Sequence, residues 1–219
     1  MELILQRDLP HQQKAVDAIS AVFDGVHITA PVQFYENPVI NLADSRLPAN
    51  IRAVQQRQNI PAEYRGVSTA GDYLNLDIKM ETGTGKTYVY TKTIFELHKR
   101  YGLNKFIIAV PSLAIKAGTS QFLTDEYVRR HFADVCGYDA AMEVGVLEAQ
   151  KKKRGRSYFP SVVGNFIRGS SQNKKKIYVL VTNMHLLTTR KDSMLASDNY
   201  DYGAEGFYRP LDALRAIKT

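Results

Sequence analysis

The sequence predicts an α/β fold, a parallel sheet flanked by helices in three α/β/α layers, and three observations predict it. Leu74, Leu76, Ile78 and Met80 are apolar while Asn75, Asp77 and Lys79 between them are polar, the alternation of a strand that runs into a glycine-rich turn. Beyond the turn, Tyr90, Ile94, Leu97 and Tyr101 recur at steps of four, three and four, as on one face of a helix, and Gly102 closes the segment. The runs FIIAV at 106–110 and IYVLVT at 177–182 are short, apolar and rich in β formers, as buried strands are. Strand, helix, strand in that order is a βαβ unit, whose crossover makes the two strands parallel. One feature pulls the other way: a central parallel strand is usually apolar on both faces, and the stretch before the turn alternates.

The remaining elements follow in order. Asp8 is placed to cap a first helix, with Pro10 in its first turn and Gly25 as its stop. Val16, Ile19 and Phe23 give that helix an apolar face, and Gln12, four residues before Val16, shares it. A buried carboxamide needs partners, either local backbone or a ligand. From 26 to 72, Pro31, Pro38, Pro48, Pro61 and Gly66 interrupt any periodicity, and one helix is expected around 49–58. That stretch is too long for an ordinary connection and reads as an insertion before the turn. Further helices are expected at 119–133 and 209–218.

Composition bounds the rest. With 219 residues, 44% of them hydrophobic, the chain can bury a sizeable core in one elaborated domain or two small ones. No window approaches the ~20 apolar residues of a membrane span, and MELILQRDLP lacks the pattern of a secretory leader, so a cytoplasmic protein without a membrane partner is expected. Cys136 is the single cysteine, and none of the five histidines stands at a metal-ligand spacing with it, so neither an internal disulfide nor a structural metal is expected. The formal charge of +7 favours a polyanionic partner, a balance that many basic proteins share.

The chemistry concentrates in METGTGKTYVY, residues 80–90. A phosphate-binding loop needs glycines where φ is positive or a Cβ would collide, inward-turned amides, and a helix N-terminus aimed at the anion. Gly83 and Gly85 meet the first need, with Thr82 and Thr84 supplying further loop amides. Lys86 is placed to lay its ammonium over the β and γ phosphates, and the Thr87 hydroxyl to ligate Mg²⁺. A strict Walker A motif would begin with glycine at position 80, where this chain has Met80. The grip lies in the later residues of the turn, so a nucleotide with Mg²⁺ remains the expected ligand; ATP is what the resemblance below implies.

Taken together, these residues resemble a family. YLNLDIKMETGTGKTYVY is similar to motif I of superfamily 2 helicases, and more narrowly to the Res subunit of type III restriction-modification enzymes, in which Met-Glu-Thr replaces the usual opening. FIIAVPSLAIKAG at 106–118 resembles motif Ia, whose turn touches the nucleic-acid backbone and here carries Pro111 and Ser112. VLVTNMHLL at 179–187, with Asn183, resembles a later strand and turn facing the same groove. LPHQQKAV is similar to the Q motif, whose glutamine contacts adenine and matches Gln12. A carboxamide can donate to N7 of adenine and accept from its N6 amino group, which neither a carboxylate nor an ammonium can do.

The resemblance runs from about Leu9 to Thr219 and implies a first RecA-like P-loop NTPase lobe over 1–219: a Q-motif helix at 1–25, the insertion at 26–72 and the P-loop core at 73–219. It also implies DNA as a partner, a methyltransferase (modification) subunit, and ATP hydrolysis coupled to DNA movement and cleavage. The family pattern includes an Asp-Glu motif at the end of a further strand, which holds Mg²⁺ and orients the attacking water. Asp125-Glu126 follows no apolar strand and is rejected for that role, so an N-terminal fragment, incomplete before the Asp-Glu strand, is expected to bind ATP without turnover. The basic run Lys151, Lys152, Lys153, Arg154 and Arg156 and the lysines at 174–176 flank Tyr158, Phe159, Phe166 and Arg168. They suit either a solvated loop or a phosphate path with aromatic platforms. Other readings stay open: another superfamily 2 DNA or RNA helicase lobe, or a noncatalytic nucleic-acid-binding module with a vestigial loop. A small-molecule kinase would leave the motif Ia and Q-motif resemblances unexplained.

Overall fold

The computed structural model describes residues 4–70, 73–149, 157–188, 195, 200–201 and 209–217. The chain divides into two compact units, one of residues 1–30 and 38–101, the other of residues 31–37 and 102–219. Among the described residues no helix is long and apolar enough to cross a membrane.

The first unit begins with α1 (Pro10–Ala21), whose proline occupies the first turn, where its missing N–H costs nothing. The residue at its cap is Leu9, with no side-chain cap, so the expected capping by Asp8 is corrected. Asp8 instead lies 3.5 Å from Arg7 and 3.9 Å from Lys92. After α1 come β1 (Ile28–Thr29) and β2 (Val39–Ile40), an antiparallel pair, and α2 (Arg46–Arg57), the helix expected near 49–58. Asp44 secures this region, accepting from the His27 amide at 2.8 Å and from the Arg46 amide at 3.0 Å. The Arg46 guanidinium beside it, joined by these two amides, holds the Asp44 carboxyl well below the usual carboxylate range. Val22, Phe23 and Val26 pack with Leu47 and Ile51 of α2 as the unit's core.

The stretch before the glycine turn departs from expectation. β4 (Tyr73–Asn75) is short and pairs antiparallel with β3 (Ser68–Ala70), and residues 76–80 are not strand. Its alternation therefore belongs to a half-exposed hairpin: Leu74 and Leu76 pack on the core cluster, while Asn75 and Asp77 are exposed. The helix after the turn, α3 (Lys86–Tyr101), forms as expected, but it is buried more broadly than one stripe. Tyr88, Val89 and all of Thr91–Phe95 are buried, whereas Tyr90, Leu97 and Tyr101 are half-buried. At its end the Tyr101 hydroxyl donates to the Ser20 carbonyl at 2.7 Å and to the Asp24 carboxylate at 2.8 Å, and burial together with that carboxylate pushes its pKa up.

The second unit contains the parallel sheet. It comprises β5 (Lys105–Val110), α4 (Leu113–Thr124), α5 (Glu126–Arg130), β6 (Ala141–Val146), β7 (Ser157–Tyr158), α6 (Ser161–Arg168), β8 (Lys176–Asn183), β9 (Tyr200–Asp201) and α7 (Pro210–Ala216). The three-stranded sheet runs β5-β8-β6, all parallel, and β7 pairs in parallel with β9. β8 sits in the middle, buried from Ile177 to Asn183, as a near-continuous apolar strand should be. Helices flank the sheet, and Val163, Phe166 and Ile167 of α6 and Leu211 and Leu214 of α7 join Leu180 in one core cluster. This is the predicted α/β architecture. Its third strand, β6, and its helix α6 were not expected from the sequence. The helix expected at 119–133 is broken at Asp125, whose carboxylate accepts from the Val128 amide at 3.1 Å and starts α5.

Two polar side chains complete the sheet unit. Asn37, 3% exposed, accepts from the amides of Asn104 and Lys105 at 2.9 Å each and donates to the Lys105 carbonyl at 2.8 Å, pinning the start of β5. Lys105, 1% exposed, donates to the Ile167 carbonyl and lies 5.9 and 6.0 Å from the ring centroids of Phe166 and Tyr178. Phe166 is therefore a core residue and does not supply the base platform suggested by the sequence; Phe159 also packs against the same cluster.

Candidate functional site

The glycine turn lies in the first unit, between residue 80 and the start of α3. Gly83 and Gly85 adopt φ of +82° and +81°, the left-handed region that glycine reaches without strain. These two residues bend the chain sharply into Lys86, so the turn delivers its backbone to a helix N-terminus, where first-turn amides lack intrahelical partners. Thr84 Oγ1 donates to the Glu81 carbonyl at 2.7 Å, and Lys86 Nζ donates to the same carbonyl at 2.7 Å. Lys86 is exposed and Thr87 half-buried, side by side in the first turn of α3. The structure thus brings Thr82, Gly83, Thr84, Gly85, Lys86 and Thr87 into one compact loop and helix start.

Gln12 belongs to the same site. Although 72 positions earlier in sequence, its Nε2 donates to the Thr84 carbonyl at 3.0 Å. Gln12 is 6% exposed, and its Oε1 is buried without a hydrogen-bond partner among the described residues. A buried, unpaired amide oxygen is costly, about 1–3 kcal/mol, and calls for a donor. Of the two Nε2 hydrogens one is used by Thr84, so the amide keeps one donor and one acceptor, the pair that the N7 and N6 positions of adenine require. The loop is built around this contact: a Cβ on Gly85 would collide with Gln12 Nε2. The Gln12 amide and the glycine turn therefore lie together, one offering a donor and an acceptor and the other the backbone of a helix start.

Sequence reasoning missed two neighbours. His11 Nε2 lies 3.2 Å from the Thr84 carbonyl, beside Gln12. Lys92, 5% exposed, reaches back from α3 to the Arg7 carbonyl at 3.0 Å and to Gln13 Oε1 at 2.6 Å. A signal for Lys92 was present, since it is the lone charge in the stretch 87–95.

The remaining predicted residues lie in or beyond the second unit's described parts. Pro111 and Ser112 are exposed, and the Ser112 hydroxyl accepts from the Ile115 amide at 3.2 Å as the N-cap of α4. Asn183 is a correction: at 1% exposure it ends β8 inside the core, its Nδ2 buried, and does not present a side chain to a nucleic-acid backbone. Lys151, Lys152, Lys153, Arg154 and Arg156 lie outside the described residues. Asp125 and Glu126 are engaged locally, Asp125 as the cap of α5 and Glu126 with Arg130.

The second unit is a parallel α/β sheet flanked by helices and the first carries a glycine turn that opens a helix, features that fit the class of RecA-like helicase domains. The model of the family described as type III restriction enzyme, res subunit, matches residues 7–204, and the chain belongs to that family. It is 40% identical over 227 residues to the Res subunit of the type III restriction-modification enzyme EcoP15I of Escherichia coli, covering 98% of this chain and 22% of that protein. It is 37% identical over 221 residues to the EcoPI Res subunit of Escherichia phage P1, covering 97% of this chain and 22% of the relative. To the StyLTI Res subunit of Salmonella typhimurium it is 37% identical over 201 residues, covering 90% of this chain and 17% of the relative. The chain thus spans about a fifth of the length of these relatives.

Proposed function

We propose that this chain is the ATP-binding motor lobe of a DNA-translocating type III restriction endonuclease subunit. In the intact protein that lobe would couple ATP hydrolysis to DNA movement and cleavage, alongside a methyltransferase (modification) subunit. The observation that carries the nucleotide reading is the Gln12 amide, seated on the Thr84 carbonyl of the glycine turn with its buried Oε1 unpaired. Gln12 would read the base, and the amides of Thr82, Gly83, Thr84 and Gly85 would line the phosphates. Lys86 would exchange the Glu81 carbonyl for a phosphate oxygen, and the Thr87 hydroxyl would ligate Mg²⁺. When bound, Mg²⁺ supplies neutralisation of phosphate charge.

Catalysis of phosphoryl transfer rests on positioning and charge stabilisation, and an acid must hold the metal and orient water. With Asp125 and Glu126 committed to α5, residues 1–219 are proposed to bind ATP without turning it over. Pro111 and Ser112 remain the proposed DNA contacts of the second unit, with the basic run at 151–156 as a further one. The test is a titration of MgATP into the chain and into Lys86→Ala. The substitution is expected to weaken binding by about 1.5–3 kcal/mol, the worth of a charge-assisted contact; equal affinities would remove Lys86 from the site.

A further inference from the structure

Lysine is almost never fully buried without partners, and Lys92 is 5% exposed on the second turn of α3. Its hydrogen-bond partners lie in the segment that carries Gln12. Nζ donates to the Arg7 carbonyl at 3.0 Å and to Gln13 Oε1 at 2.6 Å, with Asp8 Oδ1 at 3.9 Å. One turn earlier on α3, the Tyr88 hydroxyl donates to the same Arg7 carbonyl at 3.3 Å. Gln13 passes the constraint onward, its Nε2 donating to Asp17 at 2.8 Å along α1. A buried ammonium that loses such partners is destabilised by desolvation, so the contact is a strong one.

These bonds fix how the first turn of α1 is rotated about its own axis against α3. Rotation matters because successive helix residues differ by about 100°, so a small slip would turn the Gln12 amide away from the Thr84 carbonyl. The phosphate grip itself, by contrast, is made by the turn and the first residues of α3. Its bonds from Thr84 to Glu81 and from Lys86 to Glu81 do not pass through Lys92.

We propose that Lys92 is a positioning residue for base selection: through Arg7 and Gln13 it holds Gln12 in the orientation that distinguishes adenine from guanine. Guanine presents a carbonyl oxygen where adenine presents an amino group, so a fixed Gln12 Oε1 meets a donor in one base and an acceptor in the other. The inference rests on the nucleotide reading above and adds to it a division of labour. The turn binds phosphates whatever the base, and the Lys92 latch sets which base is taken.

The experiment measures the affinities of ATP, GTP and inorganic tripolyphosphate, each with Mg²⁺, for the chain, for Lys92→Met and for Tyr88→Phe. The unmutated chain should bind tripolyphosphate and prefer ATP to GTP by about tenfold or more, the scale of one to two lost base contacts. In Lys92→Met the preference should fall several-fold toward unity while tripolyphosphate affinity is retained, and Tyr88→Phe should move the preference in the same direction by less. A strut that merely stiffens the unit would weaken all three ligands by one factor, and that outcome, or an unchanged preference, overturns the proposal. If Lys92→Met does not fold, Tyr88→Phe decides alone, with an unchanged ATP-to-GTP ratio overturning it. Failure of the unmutated chain to bind tripolyphosphate overturns the phosphate-loop reading itself, and the latch falls with it.

Discussion

In the unit that holds the glycine turn, the decisive contacts run from side chains to backbone: Gln12 to Thr84, Lys86 to Glu81, Lys92 to Arg7. In the sheet unit the weight falls on apolar burial, with Ile177, Val179, Leu180 and Val181 of the central strand at 0% exposure. The contrast follows from what each must do. On the proposed function the Lys86–Glu81 bond must be replaceable by a phosphate oxygen while the Lys92 contact holds, whereas a scaffold strand has no such exchange to make. Stability and binding should accordingly respond to substitutions in different units.

The largest expected effect is on the scaffold. Leu180→Ala should destabilise the sheet unit by about 2–5 kcal/mol, the range for a fully buried leucine, in a urea unfolding transition. Unfolding at an unchanged midpoint would show that β8 does not carry the core.

The two loop glycines give the next contrast. Both have positive φ, but a Cβ on Gly83 meets nothing within 4 Å, whereas on Gly85 it collides with Gln12 Nε2. Gly83→Ala should therefore cost about 1–2 kcal/mol of backbone strain alone. Gly85→Ala should cost more in a thermal melt and should also displace Gln12, lowering ATP affinity further. Equal effects at the two positions would mean that Gln12 does not rest on the loop in solution.

A smaller effect concerns acid. Asp44 has a folded-state pKa depressed by Arg46, so its contribution is fully present above its unfolded value of about 3.9 and is lost as pH falls through the folded value. The stability advantage of the native chain over Asp44→Asn should be constant near neutral pH and shrink only below about pH 4. An advantage that instead grows on acidification would reverse the assigned sign.

Much of this was legible in the sequence because the signals were local. Gly83, Gly85 and Lys86 sit at a spacing that fixes a turn chemistry, and IYVLVT is an apolar run that burial explains; FIIAV forms its strand as expected, but at the end of the three-stranded order it is half-buried, with Val110 buried and Ala109 exposed. What stayed hidden depends on contacts distant in sequence. AMEVGV at 141–146 carries Glu143 and Gly145 and becomes a strand by pairing with β8, and Gly145 is there because a Cβ would lie 2.6 Å from Val162 Cγ2 of α6. The alternation at 74–80 predicts a sheet strand, yet only 73–75 pair, with 68–70. Asn183 is expected at the groove from the resemblance of VLVTNMHLL to a strand and turn that face it, but the end of β8 is buried. At Gln12 the helical period correctly put an amide on a buried face, and the structure added its neighbour in space, the Thr84 carbonyl.

The most direct test of the account is a calorimetric titration of MgATP into the unmutated chain and into Gln12→Ala, side by side. Saturable binding by the first, weakened by about 1–3 kcal/mol in the second, is the predicted result, as expected when a buried amide loses its base contacts. Absence of saturable binding to the unmutated chain, or equal affinity in the two, would contradict it.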